Sequence, residues 1–150
     1  MRISRLVVAA LFVLILTAAV PIVADQHGEH SKKVLIQMGH FTDDLHAAFM
    51  AVKLGNALQT EGAHVTLFLN LEAVYMADSR RPLDMRWGQN ETALEEYVNR
   101  FVKNGGVIVV CPHCAMAAGL QKGSLRSGAK IAEESEVAKA ILAADVVLDY

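Results

Sequence analysis

The chain has 150 residues, of which 53% are hydrophobic and 20% are charged, and its formal net charge is -2. That length supports one compact domain built around a single core. The balanced charge argues against the basic surface that nucleic acid or anionic lipid needs, so we expect no nucleic-acid partner.

Residues 1–24 have the layout of a secretory signal peptide. Two arginines lie within residues 1–5, residues 6–20 are almost wholly apolar, and a small-residue stretch ends at Ala24. We expect cleavage after Ala24, which would release a periplasmic or secreted protein with no stable membrane insertion. The alternative is an uncleaved membrane anchor, because the apolar run approaches the roughly 20 residues that span a bilayer.

The remaining chain divides into a polar spacer at residues 25–32 and one domain at residues 33–150. Short β-branched or aliphatic runs, bounded by turn residues, predict five strands in this domain. These runs are residues 34–36, 65–69, 107–110, 130–132 and 146–148. Helical patterns lie between them, and this alternation predicts an α/β domain with a doubly wound, mainly parallel five-stranded sheet.

Four helices are predicted between these strands. Thr42 is expected to cap the first helix, with Asp43 and Asp44 in the first turn, where negative charge suits the helix dipole. The second helix should begin after Thr92 and the third near Pro112, since proline suits a first helical turn. The last helix should turn one apolar face inward, namely Val137, Ala140, Ile141 and Ala144.

Residues 70–90 lack a clear period, apart from a helical turn or two near residues 71–76. We interpret this segment as a long surface excursion. An alternative is that its cationic and aromatic residues line a subunit contact or bind an anion; these residues are Arg80, Arg81, Arg86 and Trp87.

Cys111 and Cys114 are the two cysteines of the chain, and they directly follow the most hydrophobic predicted strand. Reactive groups in open α/β sheets gather where strand ends meet helix starts. A spacing of three places both sulfurs on one side of a helical turn, and the unpaired N–H groups there favour thiolate. We therefore predict a lowered thiol pKa, with His113 acting in the same direction. The alternative is that both cysteines are small apolar packing residues.

His40 follows the first predicted strand and should emerge at the same edge of the sheet as the cysteines. We predict that it carries a proton or orients a thiolate, while the alternative is an ordinary solvated loop residue. The exported setting would let the two thiols form a disulfide. A different class of function is a non-catalytic metal or small-ligand module, but structural zinc usually needs four ligands. We predict no metal and no cofactor.

The sequence from about Lys33 to Tyr150 resembles the DsrE/DsrF-like family, which includes YchN-type proteins. The matching segments are VLIQMGHFTDDLHAAFMAVKLGNAL, VTLFLNLEAV, VIVVCPHCAMAAGL and ADVVLDY. This resemblance implies a flavodoxin-like, three-layer α/β/α sandwich that assembles into homo-oligomers such as trimers or hexamers.

In the sulfur-relay members of that family, one cysteine carries sulfur as a persulfide, and Cys114 corresponds to it by position. Cys111, one turn earlier, would resolve the persulfide. The resemblance and the cysteine spacing together predict a periplasmic sulfur carrier or thiol-redox protein. Its activity would be that of a sulfurtransferase or a thiol oxidoreductase, with a protein as sulfur donor or acceptor.

Overall fold

The structure is a computed structural model that describes residues 31–89 and 91–150. The predicted signal peptide and most of the polar spacer lie outside the described residues. Within the described ranges, no helix has the length and apolar character needed to cross a membrane.

The five predicted strands are confirmed, and they form one sheet. The strands are β1 (Lys33–Met38), β2 (His64–Leu69), β3 (Val107–Val110), β4 (Ala129–Ile131) and β5 (Val146–Asp149). The α-helices are α1 (Leu45–Thr60), α2 (Leu94–Lys103), α3 (Pro112–Ala117) and α4 (Glu134–Leu142), and two 3-10 helices cover Leu71–Ala77 and Lys122–Ser124. Every strand pairing within this sheet is parallel, and the strand order is β4-β3-β2-β1-β5.

This strand order explains how the helices are distributed over the two faces. The connections from β1 to β4 all step in one direction, whereas the connection from β4 to β5 steps back across the sheet. Because parallel crossovers are right-handed, the reversal places α4 on the face opposite α1 and α2. The main core accordingly joins strand residues such as Ile36 to Phe49 of α1 and Phe101 of α2. The predicted three-layer α/β/α sandwich is confirmed.

The face that carries α4 is thinly covered, because one helix of 9 residues lies against five strands. Its small core contains Leu35, Phe68, Val109 and Ala132. The predicted inward apolar stripe of α4 is only partly correct: no residue of the helix is buried, and Ile141 is 39% exposed. Other exposed apolar side chains on α4 and the strands are Leu142, Val107, Val146 and Val147.

The first helix begins later than predicted. Thr42 does not cap it; Asp44 does, and its carboxylate accepts a hydrogen bond from the Ala47 N–H at 3.0 Å. Asp43 lies outside the helix and accepts from the Phe41 N–H at 2.8 Å. The sequence predicted that both carboxylates lie in the first helical turn. In the structure, Asp44 caps the helix and Asp43 holds the preceding loop.

The first part of residues 70–90, which we predicted to be a surface excursion, packs against the rest of the domain. Its 3-10 helix buries Ala73, Val74, Met76 and Ala77. Arg126, which lies far along the chain, donates hydrogen bonds to the carbonyl oxygens of Met76 at 2.9 Å and Asp78 at 3.0 Å. The Asp78 carboxylate is buried and receives two hydrogen bonds from the Arg80 guanidinium, each 2.8 Å. Farther on, the Trp87 ring stacks on His46 at 3.9 Å between centroids.

Candidate functional site

The ends of three neighbouring strands build the edge at which the cysteines lie. The Cys111 N–H donates to the Leu69 carbonyl at 2.8 Å, which continues the pairing of β3 with β2 past the last strand residue. The Asn70 N–H in turn donates to the Met38 carbonyl at 3.0 Å, which does the same for β2 and β1. Residues that follow separate strands are therefore fixed side by side.

Cys111 and Cys114 are free thiols held at the start of α3. Cys111 is the N-cap residue, Pro112 begins the helix, and Cys114 lies in its first turn. Both cysteines are half-buried. Cys114 packs against the main core and Cys111 against the small core on the opposite face, so the pair bridges the edge of the sheet. Neither thiol is sealed in hydrocarbon.

The Leu71 backbone also contributes to the site, and sequence reasoning missed it. Its N–H lies 3.2 Å from the Cys114 Sγ and donates a hydrogen bond to it. Leu71 has a φ of 43°, a left-handed conformation, and its side chain is 67% exposed. Leucine in this conformation has no sequence signature, because the left-handed region is normally occupied by glycine or asparagine.

The predicted lowering of the Cys114 pKa is wrong. Burial raises the pKa of the Cys114 thiol above its ordinary value, the Leu71 N–H opposes that rise, and the neighbouring Cys111 adds to it. The physical reason is that half-burial disfavours the charged form more than one backbone hydrogen bond stabilises it. At neutral pH the thiol form of Cys114 predominates.

The segments that follow the strands at this edge of the sheet are rich in acidic residues. The six residues that follow each of β1, β2, β3 and β4 contain no lysine or arginine. They do contain carboxylates, namely Asp43, Asp44, Glu72, Glu133, Glu134 and Glu136, and Asp149 ends β5 at the same edge. These segments therefore offer no lysine or arginine to pair with a Cys114 thiolate, and the hydrogen bond to that sulfur comes from the neutral Leu71 N–H.

His40 lies at the predicted edge, where it pairs with a carboxylate. Its Nδ1 is 2.6 Å from the Asp43 Oδ2, and both side chains are about half exposed. The hydrogen bond to Asp43 raises the pKa of His40, and nearby Asp44 and Asp149 add to that rise. A raised pKa keeps the imidazole protonated closer to neutral pH, which suits a group that delivers protons.

His113 is exposed and lies towards α4, where its Nε2 is 3.9 Å from the Glu134 Oε2. Within the described ranges, neither His113 nor His40 forms a hydrogen bond with a sulfur. Their catalytic roles stay predictions. The same ranges hold no group of three or more His, Cys, Asp or Glu side chains arranged to bind a metal ion.

Comparison with known proteins agrees with this architecture. The family model described as DsrE/DsrF-like matches residues 32–150. The ychN protein from E. coli superposes with a TM-score of 0.65 at 21% identity, covering 80% of this chain and 99% of its own. MTH1491 from Methanobacterium thermoautotrophicum, a protein of unknown function, gives 0.64 at 10% identity, covering 80% and 100%. No curated protein sequence matches significantly. The chain belongs to the DsrE/DsrF-like family.

Proposed function

We propose that this protein carries sulfur as a persulfide on Cys114 and that Cys111 resolves that persulfide. The observation that supports it most directly is the pair of half-buried free thiols at the carboxyl edge of the sheet, with a backbone donor on the Cys114 sulfur. Family membership is consistent with a role in sulfur relay.

Loading of Cys114 is a nucleophilic displacement. The Cys114 thiolate attacks a sulfane sulfur of the donor, a bond forms between the two sulfurs, and the donor's S–S bond breaks. The shortened donor leaves with the electron pair of the broken bond as an anion. The product is a Cys114 persulfide, and delivery repeats the step with an acceptor thiolate attacking the outer sulfur. Because burial raises the pKa of Cys114, the thiolate is a minor form at neutral pH.

Exposure of the reduced Cys111→Ser protein to polysulfide is expected to add the mass of one sulfur atom at Cys114, and in the wild-type protein this addition should be transient because Cys111 then forms a disulfide. Intact-mass and peptide mass spectrometry would locate the addition, and dithiothreitol should remove it. The initial loading rate should rise as the pH increases from 7, because the thiolate fraction grows until the pH passes the raised Cys114 pKa.

The matched control is Cys114→Ser, which should remain unmodified while keeping the fold. The Cys111→Ser variant should still load, because Cys111 acts only after the persulfide forms. A Cys111→Ser protein that gains no sulfur at Cys114 across this pH range would refute the carrier role.

We propose a periplasmic or extracellular location, based on the signal-like residues 1–24. An oxidising compartment would favour the disulfide form of the cysteine pair whenever no donor or acceptor keeps it reduced. The sulfur donor or acceptor would then be a protein exported to the same compartment.

We also propose that copies of the chain assemble through the thinly covered face of the sheet. Val107 and Val147 are 42% and 48% exposed there, and Leu142 of α4 is 87% exposed. An apolar surface of this kind favours burial against a second copy. Analytical ultracentrifugation should find an oligomer, and Leu142→Glu with Val147→Glu should shift it towards monomer. A monomer at micromolar concentration in the wild-type protein would contradict this proposal.

A further inference from the structure

Leu71 is the one non-glycine residue with a positive φ within the described ranges. A side chain in the left-handed region crowds the following carbonyl group, so residues other than Gly, Asn and Asp rarely adopt it. Such strain persists only where the surrounding structure imposes it, and it is concentrated at functional sites. The position of this strain, directly beside a reactive sulfur, calls for a physical reason.

The contacts of Leu71 show what imposes the conformation. Asn70 before it is held by its hydrogen bond to β1, and the Ala73 N–H after it donates to the carbonyls of Asn70 at 2.9 Å and Gly39 at 3.3 Å. Ala73 and Val74 are fully buried, so the 3-10 helix cannot shift easily. Leu71 is the residue through which the chain turns from the strand end into this helix, and the turn aims its N–H at the Cys114 Sγ.

We propose that Leu71 is a positioning residue: its left-handed backbone holds the N–H as a fixed donor to the anionic sulfur of Cys114. The acidic edge supplies no lysine or arginine in the residues that follow these strands, so a backbone N–H is the donor that stabilises the anion there. The same N–H favours the Cys114 thiolate before loading and again on delivery, when the outer sulfur bonds to the acceptor and the Cys114 Sγ takes the electron pair of the broken S–S bond. The inference rests on the proposed thiol chemistry of Cys114.

The proposal makes the backbone conformation, and not the leucine side chain, the property that matters. Leu71→Gly and Leu71→Asn keep the left-handed conformation accessible, and both remove the apolar side chain. Leu71→Val keeps an apolar side chain of similar size, but its branched Cβ disfavours that conformation. The two kinds of substitution therefore separate backbone from side chain.

The test is the apparent pKa of Cys114 in a Cys111→Ser background, measured as the rate of iodoacetamide alkylation against pH. Leu71→Gly and Leu71→Asn are expected to keep the parent pKa. Leu71→Val is expected to raise it by about one unit, which is about a tenfold slower alkylation at pH 7, as expected for losing one hydrogen bond to a charged group.

The sign of the shift distinguishes positioning from general loosening. If Leu71→Val merely opened the structure, water would reach the sulfur and the pKa would fall, because burial is what raises it. An unchanged or lowered pKa in Leu71→Val, or equal increases in all three variants, would overturn the proposal. Alkylation involves no sulfur transfer, so this result is independent of whether the protein carries persulfide.

A second measurement covers the case in which Leu71→Val does not fold. In the Cys111→Ser protein with Leu71 intact, the Leu71 amide proton resonance should move with the ionisation of Cys114, and alkylation of Cys114 should remove that dependence. A resonance that stays constant through the Cys114 titration would refute the contact as a determinant of the sulfur's charge.

Discussion

Replacing Gly128 with alanine is expected to lower the free energy of unfolding by about 2–4 kcal/mol. A Cβ at this position would lie 2.5 Å and 2.7 Å from the two methyl carbons of Val102, so α2 or the start of β4 must move. Gly128 also has a φ of 80°, which alanine adopts only with strain. Urea denaturation followed by circular dichroism would measure the loss.

Two other glycines separate these causes. Gly62 has a φ of 86° with nothing within 4 Å of a Cβ, so Gly62→Ala should cost only the backbone strain, about 1 kcal/mol. Gly106→Ala would place a Cβ 2.4 Å from the Phe101 ring without left-handed strain and should cost about 1–3 kcal/mol. If Gly128→Ala is no more destabilising than Gly62→Ala, the Val102 contact is not a constraint.

The close contact between Gly128 and Val102 matters for the cysteine site because Gly128 lies where β4 begins to pair with β3. Its carbonyl accepts a hydrogen bond from the Ile108 N–H at 3.1 Å, at the point where β4 begins to pair with β3. β3 ends at Val110, directly before Cys111, so a displacement of its partner strand changes where the cysteines emerge. We expect Gly128→Ala to perturb the thiols as well as the stability.

The sequence predicts the strands of this domain well, because each is a short aliphatic run with turn residues at both ends. Val107–Val110 matches the predicted strand residue for residue, and the helix that begins at Pro112 follows from proline chemistry. The position of the two cysteines could be predicted for the same reason. They lie between a buried strand and the start of a helix, and both of these are visible in the local sequence.

Features that depend on contacts between distant segments could not be predicted. Nothing local in the sequence indicates that the Leu71 N–H reaches Cys114, since the two residues are 43 positions apart. Asp43 and Asp44 have equal propensity to cap a helix, but in the structure Asp44 caps α1 while the Asp43 carboxylate is held by the Phe41 N–H and the His40 ring. The Cys114 pKa was predicted in the wrong direction because burial is a tertiary property, whereas the helix start is visible in sequence.

Cys111→Ser is expected to leave the Cys114 persulfide intact and to suppress hydrosulfide release by about tenfold or more, because a thiol held beside its target acts at a far higher effective concentration than a free one. In the wild-type protein, the Cys111 thiolate would attack the inner sulfur of the persulfide. A Cys111–Cys114 bond would form, the S–S bond of the persulfide would break, and the outer sulfur would leave with its electron pair as hydrosulfide.

The geometry makes this step feasible with a small adjustment of α3. Side chains three positions apart on a helix have Cβ atoms about 5–6 Å apart, and a disulfide needs about 3.5–4.5 Å. Cys111 is the N-cap residue, with φ -57° and ψ 124° instead of a helical backbone, so its Cβ need not keep the helical spacing and rotation of the two side chains can close the gap.

The measurement is hydrosulfide released over time from loaded protein, using a fluorogenic hydrosulfide probe, with mass spectrometry of the protein at each time point. Wild-type protein should release hydrosulfide and end as the disulfide, two hydrogens lighter than the reduced form. Met116→Gln is the matched control, because it changes an exposed residue of α3 without removing a thiol. If Cys111→Ser and wild type release hydrosulfide at the same rate, Cys111 is not the resolving thiol, and the persulfide must be discharged to an external acceptor alone.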